Sequence, residues 1–495
     1  MERELPESWI LGTIDQVCTH PQYGWTCKAQ SQGNLKLLRT TDITSGSIDW
    51  DTVPFCSETP KKEEDYYLQD GDIVVSRAGS VGKSFIIKGM PPKAVFASYL
   101  VRFKPHIEKY YIYYFMQSRL YWSQIEEKSA GIAVPNVNGS KLAKISLPIA
   151  PLNEQKRIVD RIEQLFSDMD KGEELLKTVQ KQLATYRQSV LKAAVTGELT
   201  KDWREKNKKK LESGEKLLAR ILESRRKNWK IRGQYQEPEE PKDKSFSEIP
   251  LSWAIATIDQ ISSTVDYGTS AKCSTDSSGV TVLRMGNIQN GTLDLEKLKY
   301  LPKNHDEFPK LLLEEGDLLF NRTNSAELVG KTTVYKSKPK KCSFASYLIR
   351  VKLIDVEPDY VSAFINSAFG RSWVKSVVSQ QVGQANVNGT KLKALSIPLP
   401  PKSEQEEIVQ RLENIFSQID VFESLCTAEL KRSNTLRQAL LKSAFSGKLV
   451  AQDSADEPAS ELLTRIKSGD GVKTKAKAAT PRRGRKPRSD KSEAA

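Results

Sequence analysis

The sequence predicts an α/β chain: two similar α/β domains separated by two long helices packed as an antiparallel coiled coil, a pseudo-two-fold internal repeat. Three observations predict it. Blocks of the first half return in the second at an offset of 244 to 250 residues. Short apolar runs bounded by Gly, Pro and Asn read as strands. Two further stretches space their apolar residues alternately four and three apart, the seam of a coiled coil.

The repeat is specific. LPESW at 5–9 returns as IPLSW at 249–253, and FASYLVRFK at 96–104 as FASYLIRVK at 344–352, with seven of nine positions identical. NVNGSKLAKISLP at 136–148 returns as NVNGTKLKALSIP at 386–398. RQSVLKAAVTGEL at 187–199 returns as RQALLKSAFSGKL at 437–449, and EKLLARI at 215–221 has a weaker echo in SELLTRI at 460–466. A period this long marks two copies of one domain-plus-helix unit rather than a solenoid.

In chain order, residues 1–150 form the first α/β domain, with DIVVS, FIIKG and YLVRF as strands and DYYLQ and 109–127 helical. Residues 151–200 carry the first long helix, its seam running through Ile158, Ile162, Leu165, Met169, Leu176, Val179, Leu183, Tyr186 and Val190. Asn153 is its expected N-cap and Gly197 its stop. Residues 201–248 are a charged linker with a short helix near Leu217–Arg226. Residues 249–398 form the second α/β domain. Residues 399–450 carry the second long helix, with Ile408, Leu412, Ile415, Ile419, Phe422, Cys426, Leu436 and Leu440 on its seam and Ser403 with Glu406 as a capping box. Residues 451–495 read as a short helix and a basic disordered tail. Each long helix would span roughly 60 Å, and neither can bury its seam alone.

Composition narrows the function. Of the net charge of +14, nine Lys or Arg against Asp490 and Glu493 place +7 in residues 471–495. The mild excess elsewhere is compatible with phosphate contacts, and PRRGRKPRS reads as a phosphate-binding arm. Six scattered cysteines form no CxxC pair, and His20, His106 and His305 offer no ligand cluster. Unpaired thiols fit a reducing compartment, and the chain has no apolar run of about 20 residues to span a membrane. A cytoplasmic location is expected. GSVGKS at 79–84 and ELVGKT at 327–332 lack the first glycine of a phosphate-binding loop, which falls on Arg77 and Ser325. Neither a methyltransferase cofactor loop nor an Asn/Asp-Pro-Pro-aromatic segment is present. No catalytic or metal-binding residue is assigned.

Three polar loops recur at corresponding places and carry the side-chain types that match base edges. The first pairs Arg39, Thr40 and Thr41 with Arg284 and Asn287. The second pairs Arg77, Ser80 and Lys83 with Arg322, Asn324 and Lys331. The third pairs Ser129, Asn136 and Asn138 with Gln384, Asn386 and Asn388. Where copies agree, as at Arg77/Arg322 and Lys83/Lys331, phosphate contact or scaffolding is expected; where they differ, base reading. Asn-Val-Asn-Gly reads as a turn.

Two copies of GD-[IL]-[VL]-x-x-R, then N-V-N-G-x-K-L, then EQ-x-x-IV-x-R-[IL]-E, closed by RQ-[SA]-[VL]-LK-[AS]-A, run through nearly the whole chain. In these blocks the sequence resembles the specificity subunits of type I restriction–modification systems. The resemblance implies two target-recognition domains, each reading one half of a split, asymmetric double-stranded DNA site, with the helices setting the gap. It implies two modification (adenine methyltransferase) subunits and two restriction (translocase-nuclease) subunits as partners. S-adenosylmethionine, ATP and magnesium would be bound by those partners and no cofactor by this chain. A coiled-coil adaptor without sequence readout and a stand-alone DNA methyltransferase are the alternatives.

Overall fold

The computed structural model describes residues 5–44, 46–129, 136–229, 234–242, 246, 249–289, 291–325, 328–381 and 384–469. The basic tail and part of the third loop of the first copy lie outside them. The chain divides into two compact units, residues 1–175 with 429–495, and residues 176–428.

In the first unit a four-stranded antiparallel sheet orders Gln22–Tyr23, Leu100–Phe103, Ile73–Ser76 and Ser84–Ile86. A second sheet orders Ala29–Gln30, Phe55–Cys56, Lys36–Leu38 and Ala94–Phe96, the last two parallel. The DIVVS, FIIKG and YLVRF runs are therefore strands, and the helices Lys109–Phe115 and Arg119–Ser129 fall where the periodicity places them. In the second unit the matching sheet orders Ser262–Tyr267, Leu348–Leu353, Leu318–Asn321 and Thr332–Val334. Val280–Leu283 pairs in parallel with Cys342–Phe344, as Lys36–Leu38 does with Ala94–Phe96. The second unit adds a small sheet of Thr323–Asn324, Gln384–Asn386 and Ser379–Gln381, and a hairpin of Ile288–Gln289 with Thr292–Leu293.

Each domain is closed by its own ends. Ile10–Thr13 pairs antiparallel with Ser146–Ile149, and Ala254–Thr257 with Ser396–Leu399 in the same register. The turn before each first strand is tied down by Trp9 N–H to Pro6 C=O at 2.9 Å and Trp253 N–H to Pro250 C=O at 3.0 Å. The indoles reach the start of the long helices, donating to Glu154 Oε2 and Glu404 Oε2, both at 2.9 Å. The neighbouring Gln155 and Gln405 accept from Glu108 N–H and Glu357 N–H and donate to Ala150 C=O and Pro400 C=O. The duplicated Glu-Gln is thus a structural joint. The weak EKLLARI/SELLTRI echo also has one structural meaning. The helices Gly214–Lys227 and Ala459–Ser468 begin with Gly214 N–H on Ser252 C=O and Ala459 N–H on Ser8 C=O. Leu217 and Ile221 enter the second unit's core, and Leu462 and Leu463 the first's.

The long helices are Leu152–Val195, 44 residues, and Lys402–Ala444, 43 residues. They start earlier than the capping residues expected. Gln155 N–H donates to Pro151 C=O and Gln405 N–H to Pro401 C=O, so each proline occupies the cap and Asn153 and Ser403 lie inside the first turn. Gly197 and Gly447 hold positive φ just past the ends, at 77° and 69°.

In each unit the helix segments run antiparallel. Arg437 stacks over Phe166 at 4.9 Å and bonds to Asp170 at 2.6 Å and Glu173 at 3.1 Å. In the second unit Arg187 stacks over Phe416 at 4.6 Å, pairs with Asp420, and lies 3.9 Å from Glu423. All four partners are offset by 250, so one clasp is built twice. It corrects the expected seam. Tyr186 is 52% exposed and Leu436 49%, because the adjacent arginines occupy the packed position; Phe422 is likewise displaced outward, by Glu423.

The Tyr-Gly of each copy marks a close crossing. A Cβ on Gly24 would press on the carbonyl oxygens of Phe96 and Ala97, and one on Gly268 on those of Phe344 and Ala345. Backbone cannot yield as a side-chain tip does. Gly268→Ala is expected to cost the second unit about 1–3 kcal/mol, measured by chemical denaturation; a loss below about 0.5 kcal/mol would show that the strands part freely.

Candidate nucleic-acid interface

Within each unit the three polar loops meet on one face. In the first, Lys83 Nζ donates to Thr44 C=O, tying loop two to loop one. Val137 N–H donates to Arg77 C=O at 3.0 Å, and Ala78 bridges Asn136, tying loop two to loop three. Below them the Arg77 guanidinium lies over the Tyr23 ring at 5.2 Å, and the Tyr23 hydroxyl accepts from Gly139 N–H at 2.8 Å. The second unit repeats the arrangement: Arg322 over Tyr267 at 4.7 Å, Gly389 N–H on the Tyr267 hydroxyl at 2.7 Å, and Val387 N–H on Arg322 C=O at 2.9 Å. Lys331 Nζ reaches Gln289 Oε1 at 3.4 Å. Burial, then the Arg371 charge, push the Lys331 ammonium below the usual lysine range.

The individual residues sort by what already holds them. The Arg39 guanidinium is engaged by Asp42, with Nε at 3.1 Å and Nη2 at 2.8 Å, while Thr40 is half-buried and Thr41 exposed on the same turn. Ser80 is exposed at the hairpin tip. Ser129 Oγ bonds back to Ile125 C=O at 2.7 Å at a helix end. Arg284 Nη2 donates to Lys297 C=O at 3.1 Å. Asn287 is buried, its Oδ1 accepting from Arg284 N–H and its Nδ2 donating to Asp294 C=O. This corrects its expected role, since burial to 3% exposure and two backbone bonds hold the amide inside the fold, away from a base edge. Asn324 Oδ1 accepts from the next N–H, at Ser325. Gln384 pairs through its backbone with Gln381, and its side chain lies outside the described residues. Asn138 and Asn388 cap short helices by accepting from Lys141 N–H and Lys391 N–H. They form a turn, as the Asn-Val-Asn-Gly pattern suggests, though the helix it feeds is short and precedes the closing strand. For Arg77 and Arg322, a scaffold role is what the stacking describes.

The segment GSVGKS and the described LVGKT of the second copy, residues 328–332, lie in hairpins between antiparallel strands, with Gly82 and Gly330 at positive φ. A helix does not follow them, so no dipole is aimed at a phosphate. Among the described residues no cluster of His, Cys, Asp or Glu could hold a metal, and no helix is long and apolar enough to cross a membrane.

Sequence reasoning missed two features. Asp72 and Arg102 form a buried ion pair at 3.2 Å where Ile73–Ser76 begins; burial raises the Asp72 carboxyl and lowers the Arg102 guanidinium from their ordinary values. Arg350 takes the same place in the second unit, with Asp266 at 3.0 Å and Asp317 at 3.8 Å. Also missed were Tyr99 and Tyr347, identical in the repeat yet 60% and 45% exposed. Their signal was in FASYL: a residue repeated in both copies that the core does not use.

Two like domains, each completed by segments of both long helices and each offering a face of convergent polar loops, define a protein built to present two similar but unequal surfaces. The profile of the family described as "Type I restriction modification DNA specificity domain" matches residues 7–181 and 251–432. The chain belongs to this family, the specificity subunits of type I restriction–modification systems. It is 28% identical over 487 residues to the EcoKI specificity subunit of Escherichia coli (strain K12), covering 94% of this chain and 96% of that protein. It is 26% identical over 487 residues to the StySPI specificity subunit of Salmonella potsdam, covering 94% and 96%. Among solved structures, the HsdS subunit from Thermoanaerobacter tengcongensis superposes with a TM-score of 0.50 at 17% identity, over 90% of this chain and 99% of that one. A chain from a study of complex assembly and conformational transition of the type I R-M system superposes at 0.64 with 16% identity, over 90% and 100%. These likenesses bear on the fold.

Proposed function

We propose that the chain reads a bipartite, asymmetric site in double-stranded DNA, one half by each unit, and that it does so without a catalytic site of its own. The observation that carries this reading is the duplicated face. Its scaffold is the same in both units, while Met285 and Gly286 stand in the second where the first has Thr40 and Thr41, and the second loop runs seven residues from Arg77 to Lys83 but ten from Arg322 to Lys331. An equal scaffold with unequal tips suits two half-sites of different sequence. The long helices would set the gap between the halves.

In this reading the chain recruits two modification subunits, and two restriction subunits join them; S-adenosylmethionine, ATP and magnesium bind those partners, in the cytoplasm. Exposed apolar residues recur at equivalent helix positions and support two equal docking sites: Leu175 with Leu436 in the first unit, Leu425 with Tyr186 in the second. A Leu175→Asp, Leu436→Asp chain is expected to retain its fold and bind one modification subunit instead of two, measured by sizing the complex. An unchanged mass would remove these residues from the interface.

The reading itself is tested by exchanging residues 10–149, which the Ile10–Ile149 pairing closes off, for the matching segment of another specificity subunit. Methylated sites mapped in cells with the partner subunits should change in one half only. A change in both halves would end the two-reader account, and binding to random and target duplex alike at stated salt would favour an adaptor.

A further inference from the structure

The two units differ in their loop tips, yet each keeps one exposed aromatic that the fold leaves unexplained. Other residues repeated between the copies have structural employment. Tyr23 and Tyr267 brace a glycine N–H and underlie an arginine. Lys141 and Lys391 close helix ends at Lys128 C=O and Val377 C=O. Arg102 and Arg350 pair with buried aspartates. Tyr99 and Tyr347 are tied in through their backbone, accepting from Arg77 N–H at 2.9 Å and Arg322 N–H at 3.0 Å, and among the described residues neither phenolic hydroxyl makes a hydrogen bond. That bond sets each tyrosine beside the second-loop arginine whose carbonyl anchors the third loop.

A surface residue that stays the same while its two readers diverge must meet something that both half-sites share. Bases differ between half-sites; the sugar–phosphate backbone does not. A phenolic hydroxyl can donate to a phosphate oxygen, and the ring can pack on a deoxyribose. We propose that Tyr99 and Tyr347 are equivalent backbone contacts that orient each unit on the duplex before its loop tips meet base edges. This rests on the reading above that each unit binds duplex DNA.

The test uses the full chain and a fluorescent duplex of random sequence, about 40 base pairs so as to exceed one helical turn severalfold, titrated at several salt concentrations. Tyr99→Phe and Tyr347→Phe remove only a hydroxyl, so folding is preserved and is checked by the melting temperature. Each is expected to weaken binding about tenfold, from the loss of a hydrogen bond to a charged oxygen. The double variant should weaken it by about the product. The salt slope should stay at its wild-type value, since no charge is removed. Met90→Ala, at an exposed position elsewhere in the first unit, should bind as wild type. Tyrosine variants within twofold of wild type would overturn the proposal alone, whether or not they lose another partner; so would a loss confined to one duplex sequence. Failure of the wild-type chain to bind duplex would overturn both this and the reading beneath it.

Discussion

Asp72→Ala is expected to destabilise the first unit by about 3–5 kcal/mol, because it strands the Arg102 charge in the interior. Both side chains are almost wholly buried, at 3% and 4% exposure. Arg102 keeps hydrogen bonds to Tyr67 C=O, Asp65 C=O and Gln22 Oε1, so both terminal nitrogens remain partnered and the cost comes from the unbalanced charge. Asp72 Oδ2 also accepts from Gln69 N–H at 3.0 Å, which supports the turn entering Ile73–Ser76. Desolvation is the largest influence on both partners, so the intact pair contributes little net stability while its rupture costs much. Denaturant unfolding of the full chain should show an early transition in Asp72→Ala that is absent from wild type. Asp72→Leu with Arg102→Met should recover most of the loss. A single variant unfolding within about 1 kcal/mol of wild type would mean that water reaches Arg102.

If each unit reads one half-site as proposed, removing residues 176–182 and 426–432 together, which spares Leu175 and Leu425, is expected to shorten the gap between half-sites by about three base pairs while leaving both half-sequences intact. Seven residues are two turns and about 10.5 Å of helix, so the buried faces keep their orientation. The deletion spares both arginine clasps, whose members are Phe166, Asp170, Glu173 and Arg437 in one unit and Arg187, Phe416, Asp420 and Glu423 in the other. It takes out the hydrogen bond from Gln180 to Thr427, 3.3 Å long and exposed to solvent. Mapping methylated sites in cells with the partner subunits gives the readout. A gap unchanged in length would show that the helices do not set it, and loss of all methylation with a folded chain would show that the shorter spacing cannot be bridged.

Much of the architecture was legible because it is local. Short apolar runs wrote the strands and the four-three spacing wrote the long helices, and repetition at 244 to 250 residues doubled every signal. What was not legible depends on partners distant in sequence. Tyr186 and Leu436 carry the apolar spacing of the seam, and only the rings of Phe416 and Phe166, far off in sequence, give the packed position to Arg187 and Arg437 instead. Asn287 has a reader's chemistry, and only its bond to Asp294 C=O, seven residues on, reveals that the amide is occupied. Tyr99 was visible as a repeated letter, but a repeat alone does not say which identical residues are buried.

The two units are not built from equal stretches of chain. Residues 176–428 run without interruption, whereas the first unit needs 429–469 to complete it. Leu441, Phe445, Ala459 and Leu462 fill the same core as Ile14, Tyr111 and Ile158. During synthesis the first unit therefore waits, with part of its apolar surface uncovered, until these late residues leave the ribosome, while the second can finish beforehand. Premature termination near Gly447 harms the domain made first and spares the one made second, reversing the usual order in which nascent domains mature.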